Sequence, residues 1–201
     1  MTQHRLSPAR TRVRAGENAS LDSLRGQLLV AGPALDDPNF RRTVILVGEH
    51  GDDGAMGVIL NRPTSVTVAD AVPPLSELVE VDDVVHLGGP VQPQAVVVLA
   101  DFVDASHSDD VVVDSVGFLP GEIEDAAEVG PVRALRVFAG YAGWSPGQLE
   151  EELEEGSWLV LPARATDVFG DEPERLWSDV LRRQGGALAV LALLPDDPSL
   201  N

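Results

Sequence analysis

A chain of 201 residues, 44% of them hydrophobic, suits one large domain with a core of its own. Its 14 basic residues, all arginine, face 33 acidic ones, and a formal net charge of −19 repels nucleic-acid backbones and anionic membrane surfaces unless a local basic patch intervenes. With no cysteine, no run of roughly 18 apolar residues and no apolar leader, the expectation excludes disulfides, thiolate metal sites, a membrane span and secretion, and points to a cytoplasmic protein.

The first 16 residues, MTQHRLSPARTRVRAG, carry Arg5, Arg10, Arg12 and Arg14 and no acid. So little apolar content predicts a disordered arm over residues 1–23, ahead of a domain at 24–195 and a short tail at 196–201. Four dispersed arginines read as a solvated tail; the sharper alternative is an arm that touches nucleic acid or an acidic partner. Next, GQLLVAG (26–32) is a short apolar run edged by glycine and predicts a strand. RTVILVGEH (42–50) is apolar on both faces at its centre, which predicts an interior strand. The turn GDDG leads into AMGVILNRP (55–63), and the two strands read as a hairpin ended by Pro63. A helical turn is expected within TVADAVPPLSELVEV, broken at Pro73-Pro74. Strands follow at DVVHLGG, QAVVVLADF and DVVVDSV, and another at GPVRALRVFAGYAG (130–143). An acidic helix, the strand SWLVLPA (157–163) and a helix over 171–186 come next. In that last helix Pro173 suits the first turn, and Leu176, Trp177, Val180 and Leu181 form one apolar face. ALAVLALLP reads as a final strand. Strands outnumber helices and mix with them, so the fold class is α/β or α+β.

Gly143-Trp144-Ser145-Pro146-Gly147 fits the G-x-S-x-G elbow of serine hydrolases. Three facts oppose a nucleophilic Ser145. The residue after the serine supplies an oxyanion-hole N–H in such elbows, and here it is Pro146, which has none. His4, His50, His86 and His107 all precede the serine. The same residues also suit a helix start, with Ser145 as N-cap, Pro146 at N1 and Gln148 closing a capping box. On that helix Leu149 and Leu153 face the core, and Glu150, Glu151, Glu152, Glu154 and Glu155 are expected to point mainly to water.

Other residue types admit two readings. His50 beside Glu49, Asp52 and Asp53 is an acid–base or metal cluster, or a tight turn. Asp104, His107, Asp109 and Asp110 offer ligand atoms but match no metal-site spacing, and read as a solvated loop. HLGGP (86–90) is a turn, or a place where backbone approaches a ligand. Tyr141 is a packing residue or a hydrogen-bond donor, and Trp144 and Trp158 read as core anchors. No helix-turn-helix, zinc-finger or RNP-type pattern is visible.

The segments GQLLVAGPALDDPNFRRTVILVGEH, GAMGVILNRP, LGGPVQ, GYAGWSPGQLEEELEEGSWLVLPA and VFGDEPERLWSDVLRR, in this order, resemble the AlgH/YqgE family of bacterial proteins. PQAVVVLADFVDASHSDD departs from the family pattern. The resemblance implies one compact α+β domain, with a bent mixed sheet forming a partial barrel and helices at its periphery. It carries a label of transcriptional regulation and supplies no reaction, no cofactor and no catalytic residue. Among its motif positions His50, Asn61, Gly88, Gly89, Tyr141 and Trp144 form a candidate ligand pocket. Three functions are then expected, in this order. The first is a non-enzymatic regulatory protein acting through a protein partner. The second is a small-ligand binder or enzyme using that pocket, and the third is direct DNA binding through the N-terminal arm.

Overall fold

A computed structural model describes residues 23–107, 110–119 and 126–194. Residues 1–22 of the N-terminal arm, the 196–201 tail and Asp109 lie outside the described residues. β1 (Gln27–Ala31) pairs antiparallel with β2 (Val44–Gly51), and β2 pairs with β3 (Gly54–Ile59) through a turn at Asp52 and Asp53, as the hairpin pattern requires. Pro63 does not end a strand. It opens β4 (Pro63–Thr67), which pairs with β5 (Val84–Leu87). A proline is tolerated at the first position of a strand, where its missing N–H costs least. Between these strands Thr67 caps the short helix α1 (Val68–Ala71) by accepting from the Asp70 N–H, and Pro73–Leu75 form a 3-10 turn at the expected break.

β6 (Val91–Phe102) and β9 (Val132–Trp144) are the long central strands. The run DVVVDSV is split into β7 (Val111–Val113) and β8 (Val116–Phe118), because Asp114 turns the chain at a φ of 52°. α2 (Gln148–Glu154) and β10 (Trp158–Pro162) follow, then α3 (Ala165–Val168), α4 (Leu176–Gln184) and α5 (Gly186–Leu191). The expected final strand is therefore a helix. A short apolar run carries no decisive period, and alanine and leucine favour helix once Gly185, at a φ of 74°, has turned the chain back along α4.

The ten strands form one open sheet in the order β10-β1-β2-β3-β9-β6-β8-β7, with β5 on β9 and β4 on β5. Every described pairing is antiparallel except β5 with β9, so the sheet is mixed and the fold is α+β. Alternation along β1 to β3 builds two cores. Leu28, Val30, Leu46 and Val58 face α3 and α4, meeting Val168, Trp177, Val180 and Leu181. Leu29, Ile45, Val47 and Ile59 face the other way, toward Trp144, Leu149 and Trp158. Burial on both faces explains why β2 reads as a continuous apolar run. Trp177 Nε1 donates to the Ala31 carbonyl at 2.9 Å and ties α4 to β1. A third cluster, with Val68, Leu75, Val85, Leu135 and Val137, fills the space under α1.

Candidate functional site

His50 stands at the turn end of the β2–β3 hairpin, with its side chain 6% exposed. Its Nδ1 accepts from the Leu24 N–H at 3.1 Å, and its Nε2 lies 2.9 Å from Glu150 Oε1 on α2. That arrangement fixes the tautomer: Nδ1 is the acceptor, so Nε2 carries the proton and donates to the carboxylate. Trp144 occupies the same row of the sheet, through the pairs His50–Ala55 and Ala55–Trp144. Trp144 and Trp158 meet edge to face at 5.9 Å, and both indole N–H groups donate to Glu152 Oε2, at 2.9 and 2.7 Å. Gln148 Nε2 donates to the other oxygen of the same carboxylate. Glu150 and Glu152 therefore serve the fold, not the solvent as expected, because α2 packs against the tryptophans and turns this side of the helix inward. Both tryptophans are anchors in the core. Gln148 Oε1 accepts from the Ser145 N–H, which is the return half of a capping box; α2 itself starts at Gln148, flanked by Gly147 at a φ of 80° rather than by Ser145.

Gly88 and Gly89 meet β9 rather than a ligand. The Gly88 N–H donates to the Ala139 carbonyl and the Gly88 carbonyl accepts from the Ile59 N–H. A Cβ on Gly140, at a φ of 69°, would lie 2.6 Å from the Gly89 carbonyl oxygen and 2.8 Å from that of Val91. A Cβ on Gly89 would overlap the Tyr141 carbonyl. Two backbones thus cross where neither can carry a side chain. Tyr141 sits at this crossing, opposite Val91, and packs against the main core cluster.

Asn61 is at the opposite end of the hairpin. Its Oδ1 accepts from the Val44 N–H and its Nδ2 donates to the Arg42 carbonyl, both at 2.9 Å, so a buried amide completes the ladder where β3 has ended. The six residues accordingly fall in three places. His50 and Trp144 lie together, Gly88, Gly89 and Tyr141 share the crossing, and Asn61 stands six residues of β2 away from His50, roughly 20 Å.

Two features were not singled out from the sequence. His86 is 3% exposed; its Nδ1 donates to the Val84 carbonyl at 3.2 Å, and its Nε2 is buried with no partner. Burial, then the charge of Arg136, pushes the imidazole down to about 4, against the opposing pull of the Val84 carbonyl. It borders a cleft of about 340 Å³ with Asp83, Arg136 and Asp171. Arg136 donates to the Val168 and Gly170 carbonyls, and burial holds its pKa below the usual value against Asp83 and Asp171. Among the described residues no group of three or more His, Asp or Glu is arranged to hold a metal ion. The second feature is an arginine-lined cleft beside Asn61, at the hairpin's open end. Its signal was available: pairing Ile45 with Ile59 places Arg42 opposite Arg62 when the register is extended.

A family model described as AlgH-like matches residues 28–189. The chain belongs to the AlgH-like family. A UPF0301 protein of Streptomyces coelicolor is 46% identical to it over 187 residues, covering 90% of this chain and 97% of that one. One from Chlorobaculum tepidum is 41% identical, covering 88% and 95%. Among solved structures, a Corynebacterium diphtheriae protein superposes with a TM-score of 0.77 at 32% identity, covering 85% of this chain and 92% of that one. The solution structure of AlgH from Pseudomonas aeruginosa gives 0.65 at 29%, covering 90% and 100%. This AlgH-like chain therefore shares both sequence and fold with its relatives across most of its length. No helix among its described residues is long and apolar enough to cross a membrane.

Proposed function

We propose that this AlgH-like protein is a non-enzymatic regulatory protein that acts through a protein partner. The observation that carries this reading is the engagement of His50. A general acid or base needs a nitrogen or oxygen facing substrate, and here Leu24 and Glu150 occupy both ring nitrogens. The net charge of −19 supports the choice of partner: it favours a basic protein surface and opposes a grip on nucleic acid, so an influence on transcription is indirect. The test is affinity capture of the tagged full chain from its host's lysate, with and without nuclease, followed by reconstitution from purified components. The expected result is a partner at fixed stoichiometry that survives nuclease and binds the purified chain more weakly as salt rises. Retention of nucleic acid alone, or loss of the partner after nuclease, would overturn the reading.

A further inference from the structure

The cleft of about 340 Å³ beside His86 sets four acids against one base. The chain ahead of β5 brings Glu80, Asp82 and Asp83, β9 brings Arg136, and the segment after α3 brings Asp171. Arg136 donates to the Val168 and Gly170 carbonyls, and Asp83 Oδ2 accepts from the Glu80 N–H at 2.8 Å. None of the four carboxylates forms a salt bridge among the described residues, and Glu80, Asp82 and Asp171 are exposed. Four carboxylates less one guanidinium leave three negative charges around the cavity. His86 adds what an acidic rim alone lacks. Its ring lines the same cleft and is 3% exposed. Nδ1 donates to the Val84 carbonyl, so Nε2 of the neutral ring is an acceptor, and it is buried without a donor. An orphaned buried acceptor costs stability that an entering donor recovers. The terminal torsion of a histidine is broad, which lets the ring turn Nε2 toward such a donor.

We propose that this cleft receives an arginine side chain of a basic protein partner. The inference rests on the reading that the protein acts through such a partner, and it names where the partner's cation goes. A guanidinium carries five N–H donors and no acceptor, so it can serve Nε2 and the carboxylates at once. Its planar fork matches a carboxylate in a bidentate way, and it is more weakly hydrated than an ammonium. Its aliphatic stem can lie along Pro63 and Pro173 on the cleft wall. An anionic ligand has the wrong sign for this rim. A metal ion is not the occupant, because among the described residues no three or more His, Asp or Glu are arranged to hold one.

The test is an NMR titration of the isotope-labelled full chain with N-acetylarginine methylamide and its lysine and citrulline counterparts. Citrulline keeps the shape of arginine and loses the charge. The expected result is saturable shifts at Asp83, His86 and Asp171, with the imidazole Nε2 resonance moving as it gains a donor. The lysine probe should bind more weakly and the citrulline probe not at all. Asp171→Asn and His86→Phe should each weaken the arginine probe about threefold or more. Glu154→Gln, on α2 outside the cleft, makes the same charge change as Asp171→Asn and should stay within about 1.5-fold. Asp171 is exposed, so its variant keeps the test decisive if His86→Phe does not fold. No saturable shift at the three residues, lysine or citrulline binding as well as arginine, or equal weakening by Asp171→Asn and Glu154→Gln would each overturn the proposal. So would a captured partner whose affinity Asp171→Asn leaves unchanged, although the partner itself would then stand. The probe titration needs no partner, so a failed capture and a failed cleft are told apart.

Discussion

The two ends of the β2–β3 hairpin hold side chains of opposite charge. At the turn end, His50 accepts from the Leu24 N–H and donates to Glu150, and Glu152 accepts from two indole N–H groups. At the open end, Arg42 lies over the Trp177 ring and donates to the Leu194 carbonyl, and Arg62 donates to the Arg41 carbonyl. A carboxylate that accepts from two indoles is part of the core, whereas the Arg62 guanidinium rests on a single exposed carbonyl.

Five variants would break or sharpen that contrast. The largest effect should come from the crossing that joins both ends to one frame. Gly89→Val, placed against the Tyr141 carbonyl, should cost on the order of 4 kcal/mol or prevent folding, read from the urea midpoint. Next is the pH dependence set by His86. Its folded pKa of about 4 lies below the ordinary 6.5, so between those values the unfolded chain holds the extra proton. The stability it provides is full above pH 6.5, falls as pH drops toward 4, and amounts to about 3 kcal/mol. His86→Phe should flatten the stability profile in that window; a profile parallel to wild type would show that the imidazole does not control it. Glu152→Ala should follow at about 2 kcal/mol, because two indole N–H groups lose their acceptor, while Glu151→Ala on the exposed face should stay within about 0.5 kcal/mol. The smallest change is expected from Arg62→Ala, within about 0.5 kcal/mol by denaturation, since among the described residues its guanidinium bonds an exposed carbonyl. If Arg62 matters to stability as much as Glu152 does, the contrast between the two ends fails.

The hairpin and its neighbours were legible because burial on both faces leaves an apolar run in the sequence, bounded here by Asp52-Asp53. The acidic helix was legible as an element, through Leu149 and the glycine stop. Its orientation was not, since nothing local shows that Glu152 lies between two tryptophans brought together by β9 and β10. Pro63 misled because a proline both ends one strand and can begin another, and its partner β5 lies some twenty residues on. ALAVLALLP misled because a short apolar run does not distinguish strand from helix until its packing against α4 is known. The candidate pocket grouped residues by motif, yet His50 and Asn61 sit at opposite ends of one strand pair. The arginine cleft required two steps, the hairpin register and then the placement of α4, and only the first was open to sequence reasoning.

The tryptophans give the molecule separate optical readings of its two cores. Trp144 and Trp158, edge to face at 5.9 Å, are close enough to couple their transitions, so the near-ultraviolet dichroism of that pair follows the packing of α2. Trp177 belongs to the other core cluster and lies under the Arg42 guanidinium, whose charge acts on its emission. With Trp144 and Trp158 replaced by phenylalanine, the remaining indole becomes a lamp set between α4 and β1, and a change in its colour on unfolding reports the loosening of that contact alone.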